Sequence, residues 1–429
     1  MTKSRKLSAL TALGSLTAAV ALLAGSPDAS AQTAPGGGSF PGSFLVPGTN
    51  TSVKIGGFAK VVGIYDMSAV GGDVMSVGAI SLRGSAGASL HGATRLHARQ
   101  SNINIDTRTP TAYGDLTTFV LFDAFGQNTS ETQNASTTQN ARLVYAYGTL
   151  GPFLAGQWVS LWADTDAISE SVDPTGFIGV MDGLTNRAPQ FRYTFAAPGG
   201  FSAAMSVENP EAEGRNLTAV GTPASNNFTT SSLGGIDRYP NLVARARIDQ
   251  AWGHLAATIQ YRDMKVEAVG IRASRSSYGG ELSGHLNTFG KDALKFTAMA
   301  GKALGHYMSD LGTQGGLQTD FAAATVGAPN QYGVNVGYTH WWTGSLRSSV
   351  NVGYSHSSLD SGILLTAAAQ NGAEKRHEGG RVNLIWSPVP QVDLGIEYNY
   401  ARRVVWSGSG TTSNTGVANR LEVESVFKF

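Results

Sequence analysis

The segment Leu421-Glu422-Val423-Glu424-Ser425-Val426-Phe427-Lys428-Phe429 decides the fold class. Its odd positions are mostly apolar (Leu421, Val423, Phe427, Phe429), and its even positions include Glu422, Glu424 and Lys428. A period of two belongs to a β-strand with one apolar and one polar face. Chain ends fray unless something ties them down. An amphipathic strand at this place is expected to close a sheet.

The same alternation recurs upstream. Val392, Leu394, Ile396, Tyr398 and Tyr400 alternate with Asp393, Glu397 and Asn399. Val334, Val336 and Tyr338 alternate with Asn335, Gly337 and Thr339, and Val350, Val352 and Tyr354 with Asn351, Gly353 and Ser355. Sixteen segments read as strands, at about 52–65, 97–108, 114–125, 138–148, 152–160, 188–195, 201–208, 240–249, 253–262, 276–288, 292–302, 331–342, 345–356, 377–387, 391–403 and 418–429. The third and fifth alternate poorly, which leaves their facing open.

The connections alternate in length. Short ones, carrying the Gly and Pro of tight turns, include 149–151, 196–200, 251–252, 343–344 and 387–390. Long ones run at about 66–96, 126–137, 161–187, 209–239, 263–275, 303–330, 357–376 and 404–417. Short turns at one end and long loops at the other describe a barrel of the outer-membrane type. An open sheet edge in hydrocarbon would leave N–H and C=O groups unpaired, so the sheet must close on itself. The predicted fold is all-β: a transmembrane antiparallel β-barrel of about sixteen strands, with short periplasmic turns and long extracellular loops. A solenoid would show a fixed repeat, and none is found. A sandwich of this many strands would be unusually large for one domain.

Composition agrees. The chain has 54 Gly and only 14% charged residues, against about 25% in ordinary soluble domains. It has no cysteine, which excludes disulfide scaffolds and thiolate sites. Lys3, Arg5 and Lys6, an apolar run from Leu7 to Ala24, and Ala29-Ser30-Ala31 read as a signal peptide over 1–31, with the mature chain starting at Gln32. Its removal takes away three cations and Asp28, moving the formal net charge from +1 to −1. That balance gives no argument for nucleic acid. Residues 32–51, rich in Gly, Pro and Ser, read as a flexible periplasmic segment ahead of a barrel over 52–429. Beyond residue 31 no apolar run approaches the length of a transmembrane helix.

Several phrases occur in a telling order: Ser43-Phe44-Leu45-Val46-Pro47-Gly48-Thr49, Val53-Lys54-Ile55-Gly56-Gly57-Phe58, Arg99-Gln100-Ser101, Asp106-Thr107-Arg108-Thr109-Pro110-Thr111, Ala146-Tyr147-Gly148, Gly156-Gln157-Trp158 and Arg192-Tyr193-Thr194. Together they resemble the DcaP-like family of trimeric outer-membrane porins, over about residues 43–195. Further on, the resemblance rests on architecture and on Phe429, whose place resembles the terminal aromatic signal read by the barrel assembly machinery. The resemblance implies a sixteen-stranded barrel, a homotrimer in the bacterial outer membrane, and passive diffusion of small hydrophilic solutes. Those solutes are often anionic, carboxylates among them. Some members carry an N-terminal coiled coil, and residues 32–51 show no heptads for one.

Strand phase then assigns faces. In a barrel of this size the lumen is wet, and its side chains tune selectivity. Phe191, Tyr193 and Phe195 are expected outside, which turns Gln190 and Arg192 inward. Leu143, Tyr145 and Tyr147 outside would point Arg142 inward, and Leu242, Ala244, Ala246 and Ile248 outside would do so for Arg245, Arg247 and Asp249. The same logic places Lys54, Lys60, Arg108, Lys295 and Arg381 inside. Arg99 has an outward phase and belongs at a rim, an interface or beyond a bulge. Arginine forks suit carboxylates, and rings of such charge select anions.

The loop 161–187 carries Asp164, Asp166, Glu170, Asp173 and Asp182 and is expected to fold into the lumen. Arg142, Arg192 and Arg245 would then face Asp164, Asp166 and Asp173 across a constriction. Two plainer readings stand beside this one: the arginines pair with carboxylates and only stiffen the barrel, and the loop lies solvated on the surface. Trp252, Trp341, Trp342 and Trp386 fit a periplasmic aromatic girdle, and Trp158, Trp162 and Trp406 an outer one. No G-x-S-x-G elbow or H-E-x-x-H site accompanies the eight His, and His377 reads as strand-top surface. No enzyme activity, cofactor or metal is expected. The rival functions are a substrate-specific uptake channel and a non-conducting adhesin or structural barrel.

Overall fold

A computed structural model describes residues 37–68, 72–126, 140–173, 186–216, 227–228, 235–268, 271–308, 311, 315–320, 324–361, 363, 373–408 and 412–429. The expected signal peptide, residues 32–36 and Asp182 lie outside them.

Sixteen long strands build the architecture: β1 (Ser52–Asp66), β2 (Asn102–Thr111), β3 (Gly114–Asp123), β4 (Arg142–Leu150), β5 (Phe153–Val159), β6 (Arg187–Ala196), β7 (Phe201–Glu208), β8 (Asn241–Gln250), β9 (Gly253–Ala268), β10 (Ile271–Asn287), β11 (Ala293–Lys302), β12 (Asn330–Trp341), β13 (Leu346–Ser357), β14 (Glu374–Val389), β15 (Val392–Val405) and β16 (Thr415–Lys428). Each pairs antiparallel with the next. The C-terminal strand β16 pairs antiparallel with β1, Phe58 opposite Lys428 and Asp66 opposite Arg420. That last pairing closes the barrel, so no wall strand is left with an unpaired edge. No α-helix occurs among the described residues.

Burial is inverted relative to a water-soluble domain. Phe191 and Met205 are 73% and 70% exposed, while Arg262 and Arg420 are 0% exposed. Apolar side chains cover the outer wall, and charged and amide side chains fill the inner one. A wall of that kind needs hydrocarbon outside and hydrogen-bond partners inside.

Several boundaries differ from the sequence reading, for local reasons. The expected strand 97–108 is two pieces: Ala93–His97 pairs with the upper half of β1, and β2 with the lower half. Arg99 lies in the break between them, its guanidinium 2.7 Å from Asp73. The expected loop 263–275 is instead the upper part of a hairpin, because Arg262, Met264 and Val266 continue the inward phase of β9 and are buried. Tyr145 and Tyr147 face inward. The β3–β4 register shifts at Leu121/Phe122, so Val144 is an extra residue that separates the facing of Leu143 from that of Tyr145. Leu143 still faces out and Arg142 in. Trp158 faces the lumen, its ring 4.5 Å from those of both Tyr145 and Tyr147. Trp162 is fully buried, so neither belongs to an outer girdle. His377 is buried against Glu374 rather than at the surface.

Residues 37–51, read from sequence as a flexible segment, carry a short strand (Phe44–Leu45) paired with Ser52 and Val53 of β1.

Candidate functional site

The connection between β5 and β6 determines the shape of the lumen. Its described part, 160–173, runs along the inner wall and touches one strand after another. Ser160 donates to Glu208 of β7 at 2.7 Å. Arg245 of β8 donates to the Trp162 carbonyl at 2.8 Å. Asp164 Oδ2 lies 2.8 Å from His254 Nε2 of β9 and accepts from Ser283 of β10 at 2.7 Å. Lys295 of β11 donates to the Ile168 carbonyl at 2.9 Å. Ser169 lies over Gly337 of β12, where a Cβ would stand 1.7 Å from its hydroxyl oxygen. Arg347 of β13 pairs with Glu170, Arg381 of β14 donates to Ser171, and the Val172 amide donates to Glu397 of β15. Lys60 of β1 donates to the Val172 carbonyl at 2.6 Å, and Gln100 donates to Asp173 at 2.7 Å.

The segment therefore covers the wall from β7 round to β1. The inner faces of β2–β5, and of β6 from Arg192 onward, stay half-exposed, whereas their counterparts on β8–β16 are largely buried. Two other loops reinforce the covered side. Leu304, Tyr307, Met308 and Leu311 pack on Leu161 and Trp162, and the Trp162 indole donates to the Tyr307 carbonyl at 2.9 Å. Met75, Val77 and Ile80 pack on Ala401 and Ala418. Burial raises the Asp164 carboxyl. The hydrogen bond with His254, the charge of Arg245 and the hydrogen bond from Ser283 outweigh it, holding the group well below the usual carboxylate range.

The sequence-predicted residues divide into two sets. In one, charge is neutralised on contact. Arg142 pairs with Asp123 at 2.6 Å, Lys60 with Glu424 at 2.8 Å, and Arg247 with Asp166 at 2.9 Å and Asp249 at 2.7 Å. Arg247 also lies 3.5 Å from Asp164, so these acids stand beside a wall cation rather than across the lumen from it. Arg108 lies looser, 3.5 Å from Asp106.

In the other set no carboxylate touches the guanidinium. Arg192 donates to Gln190 and to the Val159 carbonyl; Arg245 donates to Thr258 and to the Trp162 carbonyl. Neither forms an ion pair among the described residues. Arg108, on β2, and Arg192, on β6, belong to one row of the wall through Thr117, Thr149 and Leu154.

Sequence reasoning missed two features. Arg347 shares its face with Ser349 and Asn351 and was legible from the same alternation. The cluster of Phe119, Tyr145, Tyr147 and Trp158 on the open wall was hidden by the bulge in β4.

A closed sixteen-strand barrel with a loop docked inside it is the geometry of a channel, and the family model described as the porin subfamily matches residues 41–417. The chain belongs to the porin subfamily. Its fold matches that of the outer-membrane channel DcaP of Acinetobacter baumannii with a TM-score of 0.72, at 19% identity, over 90% of this chain and 99% of that one. The anion-selective porin from Comamonas acidovorans follows at a TM-score of 0.54 and 12% identity, over 88% and 100%. In-vitro folded OmpT of Vibrio cholerae gives 0.53 and 10%, over 88% and 98%. No curated protein matches by sequence. The porin's wall, its inner loop and its outer-membrane setting thus form one consistent arrangement.

Proposed function

We propose that this porin is a homotrimer that lets small hydrophilic solutes diffuse across the outer membrane, favouring anions such as carboxylates. The observation that carries the reading is the pair Arg192 and Arg245, cations on the inner wall whose hydrogen-bond partners are all neutral. In a water-filled constriction, wall cations that no carboxylate touches raise the local anion concentration. The segment 160–173 narrows the lumen beside them, its Trp162 carbonyl accepting from Arg245, with Asp164, Asp166, Glu170 and Asp173 already engaged by the wall or by Gln100. Export by the 1–31 signal peptide and use of Phe429 as an assembly signal belong to the same proposal.

A second reading, substrate-specific uptake, is favoured by Phe119, Tyr145, Tyr147 and Trp158, which offer rings on the open wall. Single-channel recording in planar bilayers tests both. Anion-selective currents in three-step closures support the first. Saturable block by a solute at low concentration supports the second. Unchanged reversal potentials in Arg192→Ala and Arg245→Ala channels would sink the charge argument, and a folded barrel without conductance would favour an adhesin or structural barrel.

A further inference from the structure

The tight turn that precedes β1 reaches a lumen-facing cation. Gly38 donates to the Ser43 carbonyl, and the Ser43 amide and hydroxyl both donate to the Phe40 carbonyl. Only a residue without Cβ fits at Gly38, where that atom would meet the Ser43 hydroxyl at 2.1 Å. The turn is fastened to the inner wall through Ser52, whose hydroxyl accepts from the Ser39 amide at 2.9 Å. It also lies against Lys54, whose side chain would touch a Cβ at Gly42. This construction drives Phe40 under the wall, 8% exposed, with the Arg108 guanidinium over its ring at 4.1 Å. The Arg108 side chain keeps 44% of its surface open.

Stacking occupies a guanidinium face and leaves its in-plane N–H edge free to donate. Asp106, next but one along β2, lies 3.5 Å away, near enough to capture that edge if the side chain were released. We propose that Phe40 is a positioning residue. It holds Arg108 as an anion-docking fork near the periplasmic end of the open wall, in the same row as Arg192, and keeps it from full pairing with Asp106. The inference rests on the porin reading and adds a part to the pore that lies outside the barrel strands. The turn is then not a mere tether, because its ring sets the charge presented at the exit.

Reversal potentials under a KCl gradient test this, with barrel folding confirmed for each variant by heat-modifiable gel migration. Phe40→Leu keeps the apolar filling and removes the ring face. It is expected to lower the Cl⁻/K⁺ permeability ratio roughly twofold, as Arg108→Ala does, the scale of losing one lining charge. Phe40→Tyr retains the ring and is expected to match the unaltered channel. In the Arg108→Ala background Phe40→Leu is expected to change nothing further. Equal ratios for Phe40→Leu and the unaltered channel would overturn the inference alone, as would an equal drop with Arg108 already removed. A rise in conductance at constant selectivity would reduce Phe40 to a steric plug and overturn it too. A folded, unaltered chain that does not conduct would overturn the porin reading and this inference together.

Discussion

Arg347 of β13 grips Glu170 of the inner loop at two points, Nε at 2.6 Å and Nη2 at 2.5 Å, although 177 positions separate them. Bidentate guanidinium–carboxylate pairs are the strong, geometrically specific form of this contact. Glu170 is part-exposed, so solvent screens the pair and its loss costs only about 1–2 kcal/mol. Arg347→Gln is therefore expected to leave the barrel folded while loosening the middle of the loop. Single-channel records should show more frequent current fluctuations. A trace as quiet as that of the unaltered protein would mean that the remaining loop contacts suffice.

Barrel closure depends on a different pair. Arg420 of β16 lies 2.7 Å from Asp66 of β1, with Arg420 fully buried and Arg95 bound to the same carboxylate. Removing Arg420 leaves Asp66 to Arg95 alone and deprives buried Glu422 of the cation 3.3 Å from it, at about 3 kcal/mol. Arg420→Ala should lower the temperature at which the barrel loses its heat-modifiable migration. Arg238→Ala, which removes an exposed pair with Asp263, should leave that temperature unchanged.

The barrel was legible because period two survives along most strands: outward apolar residues such as Phe191, Tyr193, Phe195, Val350, Val352 and Phe427 fall on the exposed face, with β4 the exception. The facing of Arg192 and Arg245 followed directly. What phase does not carry is partner choice. Arg247 and Arg192 look alike in sequence, yet Arg247 is neutralised by acids from its own strand and from a distant loop. Nor does phase survive an inserted residue, and Val144 alone reversed Tyr145 and Tyr147. The stacking of Phe40 on Arg108 joins residues in a turn and a strand that no periodicity connects.

Gly156 shows how closely the inner wall is fitted. Its φ is +128°, and a Cβ there would stand 2.3 Å from the Ala146 carbonyl oxygen and 2.6 Å from the Tyr147 Cα. Both neighbours are backbone of β4, so nothing flexible can yield. Gly156→Ala is expected to cost about 1–3 kcal/mol and to disturb the Tyr147–Trp158 contact. Unfolding midpoints in urea would measure it. An unchanged midpoint would show that β4 and β5 can separate without penalty.

The loops above β8 and β9 carry a proton-sensitive clasp. Glu213 pairs with Arg262 at 2.9 Å and accepts from the His306 amide at 2.8 Å. Burial alone would raise its carboxyl, yet His306 and Arg262 pull it from the ordinary 4.5 down to about 2. Because the folded value lies below the unfolded one, the unfolded state takes up the proton first as pH falls. The clasp's contribution is complete above about 4.5 and is lost as pH drops toward about 2. Glu211 acts in the opposite sense. Burial and the charge of Glu213 raise its carboxyl, so its protonation, at higher pH, relieves repulsion. Hydrogen exchange at the His306 amide should stay slow at pH 5 and quicken below about 4, after correction for intrinsic rates. In Glu213→Gln that acceleration should vanish. If the variant follows the same acid profile, the sensitivity comes from another group and the clasp does not control the loop.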